Sequence, residues 1–148
     1  MLTVPFRGDG TLVSNIPYLL DTDWVIHYLR GKRQSIVTRI LELTSSGLAL
    51  SSISLAELYH GVYTSARKEE NLAGISDFLS GVTVILPDEQ IAERFGIEKA
   101  YLRDQGLVVD NFDLLIGCTA LVYDMTLLTN NTKHYEMIQN LKIESIPL

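Results

Sequence analysis

Several features that mark particular classes of protein are missing or rare in this 148-residue sequence. A single cysteine, Cys118, can form no disulfide within the chain, and this usage is typical of a reducing compartment. No uncharged apolar run approaches the roughly 18 residues of a membrane span. The first ten residues lack the basic and apolar regions of a secretory signal. The sequence therefore predicts a cytoplasmic protein without a membrane-spanning segment.

Basic residues are also scarce, since 12 Lys and Arg stand against 18 Asp and Glu and leave a net charge of −6. This balance argues against a large nonspecific nucleic-acid footprint, which is usually basic. It does not exclude nucleic acid, because a bound divalent cation inverts the field around a cluster of carboxylates. The position of the acids in the fold therefore decides what the charge means.

The sequence divides into an N-terminal extension, residues 1–17, and a single domain, residues 18–148. The extension has no sustained periodicity, whereas the rest alternates short apolar runs with segments of helical spacing. Strands separated by helices are typical of a parallel sheet covered on both faces. We therefore predict a three-layer α/β domain with a small sheet of four or five short strands. The predicted strands are 18–20, 48–50, 82–86, 126–129 and, more weakly, 143–146.

Polar residues follow several of these strands or open the helices after them. Asp21 directly follows the first strand, and Glu57 lies in the predicted first turn of the helix after the second. Asp110 and Asp113 flank the start of an apolar helix, and Asn131 follows the fourth strand. Because ligand sites in parallel sheets form beyond the carboxyl ends of the strands, we expect these side chains to converge there.

Each acid also has a purely structural interpretation. Ser54 and Glu57 match a capping box, and Asp110 and Asp113 fit an N-cap and a first-turn acid. Asp21 fits a helix cap as well. Separate caps need no common location, however, whereas the predicted strand arrangement focuses at least three carboxylates into one cleft.

A cluster of carboxylates has chemical consequences. Two such charges about 4 Å apart repel by about 4 kcal/mol at an effective dielectric constant of 20. A proton or a cation relieves that repulsion, and hard oxygen ligands select Mg²⁺ or Mn²⁺. Such an ion activates water and neutralises charge on a phosphate, so the natural reaction class is phosphodiester hydrolysis.

Four segments in this order resemble a known family. They are LDTDWVI at 20–26, SSISLAEL at 51–58, FDLLIGCTAL at 112–121 and LLTNNT at 127–132. Together they resemble the PIN-domain family, and most closely the VapC-type toxins of bacterial toxin–antitoxin pairs. The resemblance extends from about residue 18 to the end of the chain.

The resemblance implies an Mg²⁺-dependent endoribonuclease toxin, with Mn²⁺ as an alternative ion, that a cognate VapB-type antitoxin inhibits. By this analogy Asp21 and Asp113 are direct metal ligands, and Glu57 acts directly or through water. Many PIN domains carry a fourth acid where this chain has Asn131, so a second metal site would need Asp110 as a weaker ligand. We also expect a homodimer and an antitoxin segment that lies across helices near the cleft.

Other polar residues are weaker candidates. The hydroxyls of Thr22 and Thr129 lie beside the predicted cleft, where they fit either caps or ligand-orienting groups. Arg30, Lys32 and Arg33 form the densest basic group, which fits either a solvated loop or a set of RNA phosphate contacts.

The three histidines, His27, His60 and His134, are interpreted as solvated or core residues. The aromatic residues at positions 24, 28, 59 and 63 have helical spacing, which favours packing over stacking on bases.

Two other functions remain open on the residues alone. One is a catalytically inactive PIN-like module that binds RNA or protein, in which the acids are only caps. The other is a phosphatase or phosphoacceptor domain, which the spacing of Asp21 and Asp23 fits poorly.

Overall fold

A computed structural model of the chain describes residues 15–147, and it contains one parallel five-stranded sheet. The strand order is β3-β2-β1-β4-β5, so β1 lies in the middle of the sheet, with β2 and β3 on one side and β4 and β5 on the other. This arrangement confirms the predicted α/β fold with its small parallel sheet. The strands are β1 (Tyr18–Leu20), β2 (Leu48–Ser51), β3 (Thr83–Ile85), β4 (Thr126–Leu128) and β5 (Ile143–Glu144).

Three strands are shorter than predicted, namely β3, β5 and, by one residue, β4. The run 82–86 forms a strand only over Thr83–Ile85, because β3 pairs with β2 through Ala49–Ser51 and ends there. Leu86 lies outside the strand and is 69% exposed. At the other edge of the sheet, β5 has only the two residues that pair with Leu127 and Leu128 of β4. The apolar runs therefore overestimate the length of the two edge strands, because an edge strand extends only as far as its single neighbour pairs with it.

Helices connect the strands and cover the sheet. Their caps are set locally: Asp21, Ser51, Asp88 and Asp110 each accept a hydrogen bond from a backbone N–H at the start of a helix. The helices are α1 (Thr22–Arg30), α2 (Gln34–Leu43), α3 (Ser52–Tyr63), α4 (Lys68–Leu79), α5 (Glu89–Asp104), α6 (Asn111–Val122) and the one-turn α7 (Thr132–Tyr135).

The sheet buries apolar side chains on both faces, because successive residues of a strand point to opposite sides. Leu19 and Leu127 pack in a cluster with residues of α5 and α6. Leu20 and Leu128 pack on the other side with residues of α1 to α4. Two cores therefore enclose the sheet, which confirms the three-layer arrangement.

Three of the four aromatic residues with helical spacing contribute to the second core, as predicted: Trp24 lies inside it, and Tyr28 and Tyr59 pack against it. Trp24 is fully buried, and its indole Nε1 donates to Asn130 Oδ1 over 3.0 Å. Tyr28 packs against Phe78, with ring centroids 5.4 Å apart. Tyr63, in contrast, is 59% exposed.

The predicted capping box at Ser54 and Glu57 is wrong. The helix α3 begins at Ser52, and the cap is Ser51, whose Oγ accepts the N–H of Ile53. Glu57 therefore lies in the second turn rather than the first. Its carboxylate accepts a hydrogen bond from the Thr22 hydroxyl of α1 over 2.9 Å. This frees Glu57 from the structural role that the local pattern suggested.

Cys118 is a free thiol in the middle of α6. It is fully buried among the residues of the first core. This burial raises the pKa of the thiol to about 12, with the charge of Glu98 adding to the effect. The thiol is therefore protonated at neutral pH.

A tight contact at Gly117 gives a test of the packing around α6. A Cβ added at Gly117 would lie 2.6 Å from Ile138 Cδ1, whereas one added at Gly96 of α5 would meet nothing within 4 Å. Alanine is better than glycine in a helix by about 0.8–1.0 kcal/mol, and overpacking costs about 1–3 kcal/mol. We expect Gly96→Ala to stabilise the protein and Gly117→Ala to stabilise it less, because the end methyl of the buried Ile138 must move to make room for the added Cβ. Urea unfolding measures both, and equal stabilisation by the two variants would contradict the packing described here.

The structure describes only residues 15–17 of the predicted N-terminal extension. Residues 1–14 of the predicted extension lie outside the described residues, so its boundary with the domain stays a prediction. Within residues 15–147, none of the helices has both the length and the hydropathy needed to cross a membrane.

Candidate functional site

Three predicted acids meet beyond the carboxyl ends of the central strands. Asp21 follows β1, Glu57 projects from α3 after β2, and Asp113 lies in the first turn of α6. The hydroxyl of Tyr135 contacts both Asp21 Oδ1, at 3.0 Å, and Asp113 Oδ1, at 3.3 Å. The charges of Asp21 and Asp113 also act on Glu57. The acids therefore form one cluster, as the strand order predicts.

Asp21 is the most enclosed of the three, with 4% of its surface exposed. Its Oδ1 accepts the N–H of Thr22 over 2.9 Å and the hydroxyl of Tyr135, and its Oδ2 accepts the hydroxyl of Thr129 over 2.7 Å. Three hydrogen-bond donors therefore fix the orientation of this carboxylate. Asp21 therefore caps α1 and also presents a fixed carboxylate to the cluster.

The other two acids are held in a state that disfavours their charge. Burial raises the pKa of Glu57, the hydrogen bond from Thr22 lowers it, and the charges of Asp21 and Asp113 raise it further. Burial likewise raises the pKa of Asp113, against the opposing effect of His134. Because the acids repel one another in a partly buried cleft, binding a proton or a cation there is favourable.

Among the predicted supporting residues, the two threonines contact the acids directly, whereas Asp110 and Asn131 are exposed. Thr22 and Thr129 donate to Glu57 and Asp21, so both hydroxyls orient carboxylates. Asp110 is exposed and caps α6, with Oδ2 accepting the N–H of Phe112 over 3.0 Å, yet its charge raises the pKa of Glu57 and Asp113. The side chain of Asn131 is exposed, and its backbone N–H donates to Thr129 Oγ1 over 3.0 Å.

Two residues of α7 that contact the acids were not predicted from the sequence. The hydroxyl of Tyr135 lies between Asp21 and Asp113, and His134 Nδ1 lies 3.1 Å from Asp113 Oδ2. The interpretation of His134 as only a solvated or core residue omitted this contact. A signal was present in the sequence, because both residues follow shortly after Asn131 at the same edge of the sheet.

Asp23 is a further acid whose surroundings were not predicted. Its carboxylate accepts the backbone N–H of Asn130 over 2.9 Å and that of Trp24 over 2.9 Å. Burial raises the pKa of Asp23, the Asn130 hydrogen bond lowers it, and the charge of Asp21 raises it. Asp23 therefore connects α1 to the segment after β4 and adds to the negative field of the cleft.

The three predicted basic residues do not act as one group. Arg30 lines a groove of about 390 Å³ between α1, α3 and α4, which Glu57 also lines. Arg33 donates to the carbonyl of Ile146 over 2.9 Å, which ties α2 to the segment after β5. Lys32 is exposed. Arg30 is therefore the member of the group that shares a surface with the acidic cluster.

The donor set of the cluster fits a hard divalent cation that keeps part of its water. Asp21, Glu57 and Asp113 offer only oxygen atoms, which suit Mg²⁺ or Mn²⁺. In residues 15–147 no three His, Cys, Asp or Glu side chains are arranged to hold a metal together. Mg²⁺ usually binds through one or two carboxylates and several waters, so a closed cage of protein ligands is not required. The pair linked by Tyr135 suits direct contact, and Glu57 suits contact through water.

Comparisons with known proteins agree with this geometry. The PIN domain profile matches residues 18–139. Ribonuclease VapC2 of Rickettsia felis is 34% identical over 129 residues, which are 86% of this chain and 96% of that protein. The tRNA(fMet)-specific endonuclease VapC of Shigella flexneri is 33% identical over 129 residues, covering 87% of this chain and 97% of that protein.

Solved structures give the same result for the fold. The VapBC2 complex of Rickettsia felis, bound to a DNA fragment from its promoter, has a chain that matches with a TM-score of 0.82 and 33% identity over 88% of this chain and 98% of that one. DNA-bound VapBC from Salmonella typhimurium matches with a TM-score of 0.82 and 32% identity, again over 88% and 98%.

Proposed function

This chain belongs to the PIN-domain family, and we propose from that membership that it is an endoribonuclease toxin of the VapC type. The reaction is hydrolysis of RNA phosphodiester bonds with a carboxylate-bound divalent metal. The observation that carries the proposal is the convergence of Asp21, Glu57 and Asp113 at one edge of the sheet. The ribonuclease names of relatives that match more than four-fifths of the chain support it.

The proposal gives each acid a role. Asp21 and Asp113 are the direct ligands for Mg²⁺, with Mn²⁺ as the alternative, and Glu57 acts through water. The bound ion polarises the phosphate and lowers the pKa of a water nucleophile. Thr129 and the N–H of Thr22 hold the Asp21 carboxylate in place, so its orientation is set before a cation arrives.

The remaining polar residues support these ligands. Thr22 orients Glu57 by its hydroxyl. Asp110 fixes the start of α6, which carries Asp113, and adds negative charge. Asn131 offers an amide that can bind water but adds no charge, so we assign it no role as a base. Arg30 and Lys32 are the exposed cations that we assign to RNA phosphates.

We also propose that a VapB-type antitoxin inhibits this chain by occupying the groove between α1, α3 and α4. The groove is lined mostly by apolar side chains and carries two carboxylates, Glu57 and Glu70, against one guanidinium, Arg30, so it suits an apolar segment with a basic side chain. The matching chains from Rickettsia felis and Salmonella typhimurium were solved as VapBC complexes. An occupant of this groove covers Glu57. A homodimer and a cytoplasmic location stay predictions.

The test of the proposed function combines RNA cleavage with thermal unfolding. We expect cleavage of single-stranded RNA with Mg²⁺ and none with excess EDTA. Mg²⁺ also raises the melting temperature at pH 8, and this increase shrinks as the pH falls toward 5, because protons compete for Glu57 and Asp113. The pKa values of Glu57 and Asp113 are raised in the folded protein, so it binds protons there more readily than the unfolded chain does. The metal-free protein therefore loses stability as the pH rises, and Mg²⁺ stabilises it most at high pH, where both carboxylates are charged.

Two results would contradict the proposal. One is cleavage that is insensitive to EDTA, and the other is a melting temperature unaffected by Mg²⁺ at both pH values together with no cleavage. The second result would favour a module that binds RNA or protein without turnover. Uptake of phosphate from a small phosphodonor, seen by intact mass, would instead favour a phosphoacceptor domain.

A further inference from the structure

We propose that the hydroxyl of Tyr135 is a positioning group that holds Asp21 and Asp113 in the convergent orientation that a divalent cation needs. This inference rests on the proposed function, since it concerns the same cluster of acids. It assigns Tyr135 no contact with RNA and no part in the chemical step.

The geometry places one hydroxyl between two carboxylates from different elements. Tyr135 ends α7 and is fully buried in the first core. Its hydroxyl lies 3.0 Å from Asp21 Oδ1, after β1, and 3.3 Å from Asp113 Oδ1, on α6. Its single proton is therefore shared between two acids whose charges repel each other. A third element, α7, thereby links the other two.

The two acids depend on this link to different degrees. Asp21 also accepts hydrogen bonds from the N–H of Thr22 and the hydroxyl of Thr129, so its position is set without Tyr135. Asp113 accepts from Tyr135 at Oδ1, and its Oδ2 lies 3.1 Å from Nδ1 of the exposed His134. Removing the hydroxyl therefore acts mainly on Asp113, which repulsion from Asp21 then turns toward solvent.

Packing alone does not account for a tyrosine at this position. A phenylalanine ring would fill the same space without placing a polar atom in a buried site. Carboxylates only accept hydrogen bonds, so at both contacts the Tyr135 hydroxyl is the donor. Groups that hydrogen-bond to metal ligands set the orientation of those ligands, and their loss typically weakens metal binding by about 10–100-fold.

The chain offers a matched control for the same chemical change. Tyr123, at the other end of α6, is also buried, and its hydroxyl donates to Asp88, the cap of α5. It lies about 15 Å along the helix from Asp113 at a rise of 1.5 Å per residue. Tyr123→Phe therefore removes a buried tyrosine–carboxylate hydrogen bond without touching the acidic cluster.

The first measurement is Mn²⁺ binding by calorimetry, with the electron paramagnetic resonance signal of the bound ion as a second readout. We expect Tyr135→Phe to weaken Mn²⁺ binding by about 10-fold or more and Tyr123→Phe to leave it within about 2-fold. Tyr135→Phe keeps the volume of the ring, and its urea unfolding curve checks that it folds. Equal or tighter Mn²⁺ binding by Tyr135→Phe would overturn the inference.

The second measurement uses the metal-free protein, so it separates this inference from the proposed function. In excess EDTA we expect Tyr135→Phe to lower the urea midpoint more in the wild-type background than in Asp113→Asn, where the repulsion is already relieved. Additive effects of the two substitutions would overturn the inference. If the wild type binds no Mn²⁺, the proposed metal site fails, and this cycle still decides whether Tyr135 links the two acids.

Discussion

Asp21→Asn and Asp113→Asn each lower the rate of Mg²⁺-dependent RNA cleavage by at least about 100-fold, the scale of loss when one electrostatic group leaves a preorganised site. Each substitution keeps the size of the side chain and removes one negative charge from the cluster. An amide is a neutral and weaker ligand for a hard cation, so the loss falls on metal binding and on the activated water together. Single-turnover cleavage of a labelled RNA at saturating Mg²⁺ measures the effect.

Asp124→Asn is the matched control for this prediction. Asp124 is exposed, pairs with Lys142 over 2.8 Å, and has a φ of 52°, a backbone conformation that asparagine tolerates well. We expect its cleavage rate to equal that of the wild type. If Asp113→Asn folds and cleaves at the rate of Asp124→Asn, the acids are not the catalytic centre.

The two site variants are expected to differ in stability without metal. Burial and the charge of Asp21 raise the pKa of Asp113, so the charged carboxylate destabilises the folded metal-free protein. Asp113→Asn removes this charge, and the variant therefore melts at a higher temperature than the wild type in EDTA. Asp21→Asn loses acceptor capacity at a carboxylate that takes three hydrogen bonds, which offsets the relief of repulsion. Activity lost with stability gained is typical of a functional site, not of a damaged fold.

Trp24→Ala lowers the free energy of unfolding by about 3–5 kcal/mol, the range for truncating a buried large aromatic residue. Trp24, in α1, is fully buried in the second core together with residues of β1 and of α2 to α4. Its indole also donates to Asn130, whose side chain bonds the backbone N–H and carbonyl of Ile146. The substitution leaves a cavity and removes one partner of the residue that anchors the C-terminal segment.

Urea unfolding followed by far-UV circular dichroism measures this loss, since Trp24 is the only tryptophan and its fluorescence disappears with it. Trp24→Phe keeps most of the packing and separates the loss of the N–H from the loss of volume. Tyr63→Ala serves as the exposed control and is expected to change stability by less than about 0.5 kcal/mol. A loss for Trp24→Ala as small as that for Tyr63→Ala would show that Trp24 does not support the second core.

The sequence predicted the sheet and the acidic cluster because both follow from short-range rules. Short apolar runs identify strands, and parallel strands place the residues that follow them at one edge. The position of Asp21 follows from the strand rule alone, because Asp21 comes directly after β1. Asp113 lies at the start of the helix before β4, and such a helix starts at the same edge because it runs back across the sheet before the next parallel strand. The prediction of a parallel sheet of four or five strands is confirmed, and the structure brings Asp21 and Asp113 together as expected, whereas their roles stay predictions.

The errors concern choices that a local pattern leaves open. Ser51, Ser52 and Ser54 all precede an apolar run, so the sequence alone does not decide which serine caps α3. The contacts of Tyr135 join it to Asp21, 114 residues away, and to Asp113, 22 residues away. They depend on how the single turn of α7 packs against β1 and α6, which no periodicity encodes. The position of Tyr135 shortly after Asn131 indicates the edge of the sheet at which it lies, but its contacts become visible only in three dimensions.

The buried position of Cys118 has a consequence for the chemistry of the whole domain. A thiolate, not a thiol, reacts with alkylating reagents and peroxides, and this thiol has a pKa of about 12 in a site closed to solvent. Cys118 in the folded protein is therefore protected from alkylating reagents and peroxides. Alkylation of Cys118 requires the core around α6 to open. The alkylation rate therefore measures how often this core opens in the protein without any substitution.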